Sequence, residues 1–391
     1  MSNFDWAYPN TVWFGVGRIN DLTKACKILN VKKPLLVTDK DLAKTQMIAK
    51  AVDINKKASI PTKIFSDLKG NPFGSHVQKG VEQFKNGQHD GVIAFGGGSS
   101  LDVGKSIALL ASNNRPLWDF SGEGSFWKEN NYIESLAQNK MSNPDNVKPI
   151  IAIPTTAGTG SEATIGAVIS HPNTHKKELI IDTKLVPLVA ALDPELMKGL
   201  PASITAATGM DALTHLIEAY LSGMANEESD FYARAGIQLV FENLPKVLRR
   251  VNNSAREKMA LASYYGGLTI NIAGLGYVHA FAHQLGAKYR IPHGESNAKV
   301  LPYVLEFNKY AATERMGEIA RLLGLGGKNE TDLELADKLI VAVRQLISDA
   351  GISETIPNIH HSDYSEIIQA AFKEANSTYA VAKYMSYDEA V

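Results

Sequence analysis

The sequence predicts an α/β amino-terminal domain built on a parallel sheet, followed by an all-α carboxyl-terminal domain. In the first half of the chain, short β-rich runs alternate with stretches of helical period, which is typical of a parallel sheet covered by helices. The runs lie at 33–39, 63–68, 91–97 and 148–156. After Pro201 the apolar residues follow helical spacing, with few strand candidates. We therefore predict an α/β domain over 1–198 and a helical domain over 199–391.

The composition excludes several classes of partner. A chain of 391 residues, 45% hydrophobic and 21% charged, is long enough for two cores. Its net charge of -1 gives no reason to expect binding to nucleic acid or to an anionic membrane. Apolar stretches fall well short of the roughly 20 residues that span a bilayer. The single cysteine, Cys26, and a start without signal-peptide features lead us to expect a cytoplasmic protein.

A run of glycines marks the turn between the third β-rich run and the helical pattern after it. Gly96, Gly97 and Gly98 carry no side chain, so a phosphate can approach the backbone N–H groups at the positive end of the helix. Ser99 can cap that helix, and the helix dipole favours Asp102 in the first turn. The pattern predicts a pyrophosphate site, and a tight turn of purely structural role is the alternative.

Two further features fit a dinucleotide. The loop PTTAGTGSE at 154–162 offers threonine hydroxyls beside glycines, with an ordinary polar turn as the alternative. Asp39 ends the run PLLVTD, where a carboxylate suits the ribose hydroxyls of adenosine and repels a 2′-phosphate. This position favours NAD over NADP, although a single aspartate after a strand is also a common helix cap.

Histidines and one aspartate form a candidate metal site. Asp211 and His215 lie four residues apart in the helical pattern GMDALTHLIEAY, so both project from one face. The stretch GYVHAFAHQLGAKYRIPHG adds His279, His283 and His293. Imidazole and carboxylate groups suit a divalent transition ion, either Fe(II) or Zn. The alternatives are a surface hydrogen bond for the first pair and a role as core histidines for His279 and His283.

In order, spacing and identity, these pieces resemble the iron-containing, or group III, alcohol dehydrogenases, near the lactaldehyde reductases and 1,3-propanediol dehydrogenases. The resemblance runs from NTVWFGVGRINDL through GGGSSLDVGK, PTTAGTGSE and ATGMDALTHLIEAY to VHAFAHQLGAKYRIPHG, which is most of the chain. It implies a dehydroquinate synthase-like fold. It also implies hydride transfer between NAD(H) and a small primary alcohol, aldehyde or diol, by a homo-oligomer that is a dimer or larger.

The resemblance also implies roles for individual residues. The family's metal ligands match Asp211, His215, His279 and His293, and a histidine near substrate and nicotinamide, implied in a proton relay, matches His283. The family's cofactor contacts match Asp39, Asn71, Gly97, Gly98, Ser99, Asp102, Thr155, Thr156, Thr159 and Lys177.

Some positions depart from the family pattern. Ser100 stands where many members have proline, and Lys288, Arg290 and Glu295 stand where smaller or apolar residues are frequent. The three charged residues leave open an altered pocket mouth or an anionic substrate. The polar stretch 121–147 is longer than the family leads us to expect, and we interpret it as a surface excursion.

Three other functions are compatible with these features. A glycerol dehydrogenase-like or other polyol or hydroxy-acid dehydrogenase of the same superfamily would pair a dinucleotide with a divalent metal, and so would a dehydroquinate-synthase-like lyase. A non-catalytic protein that senses a metal or a nucleotide would keep the binding residues but not the proton relay at His283.

Overall fold

The computed structural model of the chain describes residues 10–122, 147–173, 176–249, 252–327, 329–356 and 358–391. The predicted excursion at 121–147 therefore lies almost entirely outside the described residues. The chain divides into two compact units, here called the sheet unit and the helical unit. The sheet unit comprises Met1–Thr155 and Ser161–Leu196, and the helical unit comprises Thr156–Gly160 and Met197–Val391. The assignment of NAD binding to 1–198 and metal binding to 199–391 stays a prediction.

The sheet unit is built on a parallel sheet of six strands in the order β1-β8-β5-β4-β2-β3. The strands are β1 (Thr11–Phe14), β2 (Leu35–Val37), β3 (Lys63–Phe65), β4 (Val92–Gly96), β5 (Ile150–Pro154) and β8 (Val189–Leu192). The helices of this unit are α1 (Leu22–Ile28), α2 (Gln46–Lys57), α3 (Gly74–Asn86) and α4 (Gly98–Leu110). The four predicted β-rich runs contain β2 to β5.

Both faces of this sheet are buried. Side chains alternate along each strand, so Leu36 and Ile93 join one hydrophobic cluster while Leu35 and Val92 join another. Strands buried on both faces have near-continuous apolar sequences, which explains why these runs show no polar alternation. A separate antiparallel hairpin, β6 (Gly166–Ser170) with β7 (Lys177–Ile181), was not among the predicted strands.

The helical unit contains a series of helices, and no strand is present among its described residues. They are α5 (Ala202–Leu221), α6 (Glu227–Arg249), α7 (Asn253–Ala273), α8 (Tyr277–Tyr289), α9 (His293–Asn308), α10 (Thr313–Leu322), α11 (Asp332–Asp349), α12 (Tyr364–Thr378) and α13 (Tyr387–Ala390). A parallel α/β sheet followed by a helical region confirms the predicted fold class. In the described part of the chain, no helix is both long and apolar enough to cross a membrane.

The central helix of this unit is α5. From Met210 to Leu221 every one of its side chains is buried, and many of them belong to the same hydrophobic cluster as residues of α6 to α9. A helix with apolar residues all round is a helix at the centre of a core. Polar groups on α5 are therefore held at fixed positions inside the protein.

Candidate metal and cofactor site

Three helices bring the predicted metal ligands together. Asp211 and His215 lie one turn apart on α5, His279 lies in the first turn of α8, and His293 is the first residue of α9. The turn from α8 to α9 is tight: Arg290 adopts a left-handed conformation with φ 57° and ends α8. A proline follows at position 292, just before α9, where its fixed φ suits a helix start.

One carboxylate oxygen lies at the centre of these side chains. Oδ1 of Asp211 is 3.4 Å from Nε2 of His293, 3.7 Å from Nε2 of His279 and 3.9 Å from Nε2 of His215. Ligand atoms of Asp211, His215 and His279 all lie within 4.8 Å of one another. The sequence-predicted ligands therefore converge, with His293 as the most exposed of the four.

The separations fit a divalent ion. Ligand atoms that bind one ion at about 2.0–2.2 Å lie roughly 3–4 Å from one another, whether the geometry is tetrahedral or more open. Three imidazoles and a carboxylate form a donor set typical of Fe(II) or Zn. The amide Nδ2 of Asn297 lies beside the same ligand atoms, and the buried Oδ1 of that residue has no hydrogen-bond partner in the described part of the chain. We conclude that these residues suit such an ion.

Glycine allows the helices to approach closely enough for this geometry. A Cβ added to Gly294 would lie 2.1 Å from the carbonyl oxygen of Ala207 and 3.2 Å from Cβ of Asp211. Real Cβ atoms do not approach backbone oxygens so closely, so only glycine permits the first turn of α9 to pack on α5 beside the ligands. The glycine of the PHG motif thus has a packing role that the sequence alone did not reveal.

Glu218 is a residue of the candidate metal site that the sequence analysis missed. Its Oε2 lies 2.5 Å from Nδ1 of His279, and its Oε1 accepts a hydrogen bond from the backbone N–H of Val278 at 2.6 Å. A carboxylate at Nδ1 keeps a proton on that nitrogen, so Nε2, which faces Asp211, is the nitrogen left to bind an ion. The sequence spacing could have indicated this position, because residues 211, 215 and 218 lie on one face of α5.

Asn297 is a second residue that the sequence analysis missed. Its Nδ2 donates to Oδ1 of Asp211 at 2.6 Å and lies 3.1 Å from Nε2 of His279 and 3.4 Å from Nε2 of His293. The amide thus contacts atoms of three predicted ligands at once and holds the Asp211 carboxylate in place. The sequence could have indicated this position too, because Asn297 follows His293 by four residues and lies on the same face of α9.

Burial and charge act in opposite directions on the site's pKa values. Burial lowers the pKa of His215 to about 4, despite the nearby Asp211 carboxylate. Burial opposes protonation of His279 as well, but Glu218 and Asp211 together raise its pKa to about 9. Burial would raise the pKa of Asp211, but the surrounding histidines hold it well below its usual range. A divalent cation at this carboxylate would therefore replace a proton on His279.

His283 lies beside the predicted ligands on α8. Its ring stacks on that of His293, with centroids 5.2 Å apart and planes inclined by 18°. Its Nδ1 lies 2.7 Å from Oε1 of Glu374 on α12, and the same oxygen accepts a hydrogen bond from the Tyr379 hydroxyl at 2.7 Å. No local pattern pointed to Glu374, because it approaches His283 from 91 residues further along the chain.

Several of the predicted cofactor residues lie at one edge of the sheet. The chain leaves β2 for β3 on one side and leaves β4 for β5 on the other, so the carboxyl ends of β2 and β4 border a switch point. Such points are where open α/β sheets bind ligands. Gly97, Gly98 and Ser99 follow β4 there, and Asp39 follows β2. The N–H of Thr155, just after β5, donates to the carbonyl of Gly96 at 2.9 Å.

The two carboxylates that we predicted to contact the cofactor also make hydrogen bonds within the protein. Oδ1 of Asp39 accepts from the N–H groups of Asp41 and Leu42, each at 2.9 Å, so the aspartate caps the short turn after β2. Both oxygens of Asp102 are engaged, one by the Ser161 hydroxyl at 2.7 Å and the other by the Val168 N–H at 3.1 Å. Asp102 therefore ties α4 to the antiparallel hairpin, whatever else it contacts.

The other residues that we predicted to contact the cofactor lie in three places. Asn71 adopts a left-handed conformation with φ 54° before α3, and Lys177 begins β7. Burial raises the pKa of Asp102, and the charges of Lys105 and Lys177 oppose that rise. Thr156 and Thr159 belong to the short segment that packs with the helical unit. A Cβ on Gly158, between them, would lie 2.7 Å from the carbonyl oxygen of Thr208 on α5.

Of the three charged residues that depart from the family pattern, two form local ion pairs. Lys288 bonds to Glu366 and lies 3.1 Å from Oδ1 of Asp363. Oε1 of Glu295 lies 3.2 Å from Nζ of Lys299, which is buried. These partners account for two of the charges without an anionic substrate.

Two family models match the chain along most of its length. The model described as iron-containing alcohol dehydrogenase matches residues 9–194, and the model of the carboxyl-terminal part of the Fe-containing alcohol dehydrogenase family matches 205–389. The 1,3-propanediol dehydrogenase of Klebsiella pneumoniae is 38% identical over 96% of this chain and 94% of that protein. The NAD-dependent methanol dehydrogenase of Bacillus methanolicus is 37% identical over 90% of this chain and 88% of that protein.

A solved structure agrees with these sequence matches. The crystal structure of a 1,3-propanediol oxidoreductase superposes with a TM-score of 0.91 at 36% identity, covering 100% of this chain and 98% of that one. The similarity therefore extends over the regions that both family models match, over nearly the full length of the relatives and over the fold of both units. This chain belongs to the iron-containing alcohol dehydrogenase family.

Proposed function

We propose that the chain is a metal-dependent alcohol dehydrogenase that transfers a hydride between NAD(H) and a small primary alcohol, aldehyde or diol. The observation that carries the proposal is the convergence of three imidazole Nε2 atoms within 4 Å of one Asp211 oxygen. Family membership supports it, as do relatives named for propanediol and methanol.

Asp211, His215, His279 and His293 are the residues that would hold the ion. When bound, a divalent ion supplies Lewis acidity to the oxygen of the alcohol or aldehyde. Glu218 fixes the ring orientation of His279, and Asn297 fixes the Asp211 carboxylate. We propose iron as the native ion in view of the family, and zinc as an ion that the same donors accept.

The switch point of the sheet is the proposed place of the cofactor. A nicotinamide dinucleotide supplies the hydride acceptor in alcohol oxidation. The backbone of Gly97, Gly98 and Ser99 at the start of α4 suits its pyrophosphate. The negative charge of Asp39 beside β2 favours NAD, because it repels the extra phosphate of NADP. Asn71, Asp102, Thr155, Thr156, Thr159 and Lys177 remain proposed contacts.

His283 is the proposed proton carrier. Its Nδ1 is held by Glu374, so proton exchange takes place at Nε2. Burial would raise the pKa of Glu374, but the charge of His283 holds it below its usual range, which keeps the carboxylate ionised beside the ring. Stacking on His293 keeps His283 next to the ligands without making it one of them.

A substrate screen with defined metal loading tests this function. Apoprotein is reconstituted with Fe(II) under anaerobic conditions or with Zn, and NADH oxidation is followed with short aldehydes, diols, polyols and hydroxy acids. We expect activity with small aldehydes, loss of both bound metal and activity in His279→Ala, and neither loss in the exposed control His361→Ala. No turnover of any substrate with either ion would overturn the proposal and favour a sensing protein.

A second variant separates the proton carrier from the ligands. We expect His283→Ala to keep its bound metal but to lose activity, with an altered pH dependence of kcat. An unchanged pH profile would refute the role of His283. We also propose a cytoplasmic homo-oligomer, a dimer or larger, whose mass light scattering would measure.

A further inference from the structure

Lys105 on α4 is a lysine that the proposed function does not use. Its side chain is fully buried, which lysines almost never are unless their charge is paired. Nζ donates to the carbonyl of Thr164, to the hydroxyl of Thr164 and to the carbonyl of Gly166, each at 2.9 Å. Three acceptors match the three N–H bonds of an ammonium group. The group is therefore fully hydrogen-bonded within the sheet unit.

The surroundings of Lys105 preserve its charge. Burial lowers the pKa of its ammonium to about 8, and the carboxylates of Asp102 and Glu162 oppose that fall. The ammonium form therefore predominates at pH 7. Burying a charge is costly, and an apolar side chain of similar length would fill the same space at lower cost. What Lys105 adds is thus its hydrogen bonds to Thr164 and Gly166 rather than packing.

Asp102, one turn before Lys105 on α4, holds the same stretch of chain. One of its carboxylate oxygens accepts from the Ser161 hydroxyl at 2.7 Å, and the other accepts from the N–H of Val168 at 3.1 Å. The helix therefore fixes residues 161–168 through one cation and one anion. The two charges also compensate each other inside the protein.

The stretch that α4 fixes directly follows the threonine loop, defined here as residues 155–160. The first residue of this loop, Thr155, donates its N–H to the carbonyl of Gly96 at the end of β4. The residue after the loop, Ser161, donates to Asp102. Both ends of the loop are therefore attached to β4 and α4, and the glycine turn between those two elements is the proposed pyrophosphate site.

We propose that Lys105 is a positioning residue for NAD(H), which holds the carboxyl-terminal end of the threonine loop against α4 in the geometry that the cofactor needs. The inference rests on the proposed binding of the dinucleotide at the start of α4. A site that is ordered before its ligand arrives loses less conformational entropy on binding. Lys105 also offsets the charge of Asp102, which would otherwise repel a pyrophosphate at the same helix.

Lys105→Met tests this role, because it removes the ammonium and keeps a side chain of similar length. The metal-loaded enzyme is titrated with NADH, and binding is followed by nicotinamide fluorescence. We expect a Kd for NADH about tenfold higher than that of the wild type. KM for NAD should rise as well, with kcat at saturating NAD unchanged. A folding defect alone would lower kcat through a smaller active fraction and leave KM for NAD as it is.

Two control variants match the change in charge and the change in α4. Lys79→Met on α3 removes an exposed ammonium that pairs with Asp67, and Ser106→Ala alters a hydroxyl on α4 that donates to the carbonyl of Asp102. Both should bind NADH as the wild type does. Hydrogen exchange gives a second readout, because the amides of 161–168 in the NADH-free enzyme should exchange faster in Lys105→Met than in either control.

A Kd for NADH in Lys105→Met within about twofold of the wild-type value would overturn the inference. If the wild type itself does not bind NADH, the proposed function fails together with this inference. Equal binding by a competent wild type and the variant removes this inference alone. Should Lys105→Met fail to fold, Thr164→Val removes one of the three acceptors and should raise the Kd about threefold; an unchanged Kd would then refute the role of Lys105.

Discussion

Glu218→Gln removes the negative charge that faces His279 but keeps the shape of the side chain. In the wild type the carboxylate accepts two hydrogen bonds at once, from Nδ1 of His279 at 2.5 Å and from the N–H of Val278 at 2.6 Å. A carboxamide has one oxygen, so it accepts only one of them. With the oxygen on Val278, its NH₂ group meets Nδ1, and His279 must move its proton to Nε2, the atom that faces Asp211.

The expected result is weaker metal binding. Loss of a partner behind a ligating histidine costs about 10–100-fold in metal affinity, which is roughly 1.4–2.7 kcal/mol. We expect Glu218→Gln to raise the dissociation constant for Zn by that factor, measured on apoprotein by competition with a chelator. The matched control is Glu242→Gln on α6, an exposed carboxylate that accepts a hydrogen bond from Gln238 at 3.0 Å.

The result that would refute this reasoning is a dissociation constant within about twofold of the wild type. Such a value would mean that the orientation of His279 is set by its packing alone. The thermal stability of the two apoproteins should be compared as well, because Glu218 is buried and an unfolded variant would also fail to bind metal.

Three more predictions concern other parts of the chain. Asn297→Asp places a second carboxylate 2.6 Å from Asp211, so the apoprotein should melt at a lower temperature than the wild type and should show a larger rise in Tm on adding Zn; an unchanged rise would contradict this. Asp39→Asn removes a charge but keeps a capping oxygen, so NADP use relative to NAD should improve about tenfold, and a constant ratio of the two kcat/KM values would exclude the role of the charge. Burial raises the pKa of Glu162 to about 7 from 4.5; the folded state then holds a proton that the unfolded state has released, so stability should fall by about 2–3 kcal/mol between pH 5 and pH 8. Glu162→Gln should abolish that fall in denaturant titrations, and a parallel fall in the variant would assign it to another group.

The local periodicity of the sequence was sufficient to predict much of the fold. Strands β2 to β5 are continuous apolar runs closed by turn residues, and the four-residue spacing of Asp211 and His215 places both on one helix face. These features depend on neighbours in sequence, which a single chain displays directly. The fold class and the pairing of Asp211 with His215 were predictable for that reason, whereas His279 and His293 joined the ligand set only through the resemblance to the family.

What the sequence analysis missed depends on contacts between distant residues. The role of Glu374 requires that α12 pack beside α8, and nothing around residue 374 indicates it. The hairpin of β6 and β7 is short and half-buried, with a register fixed partly by the distant Asp102 carboxylate.

Gly294 shows that the proposed metal site also depends on residues that supply no ligand atom. Any side chain there would collide with the Ala207 carbonyl and push two helices apart, and a similar collision with Glu218 would follow a Cβ on Gly276. A variant at either position would be scored in a genetic screen as metal-deficient while retaining every ligand. We therefore expect loss-of-function changes at these two glycines to weaken metal binding while every proposed ligand is retained.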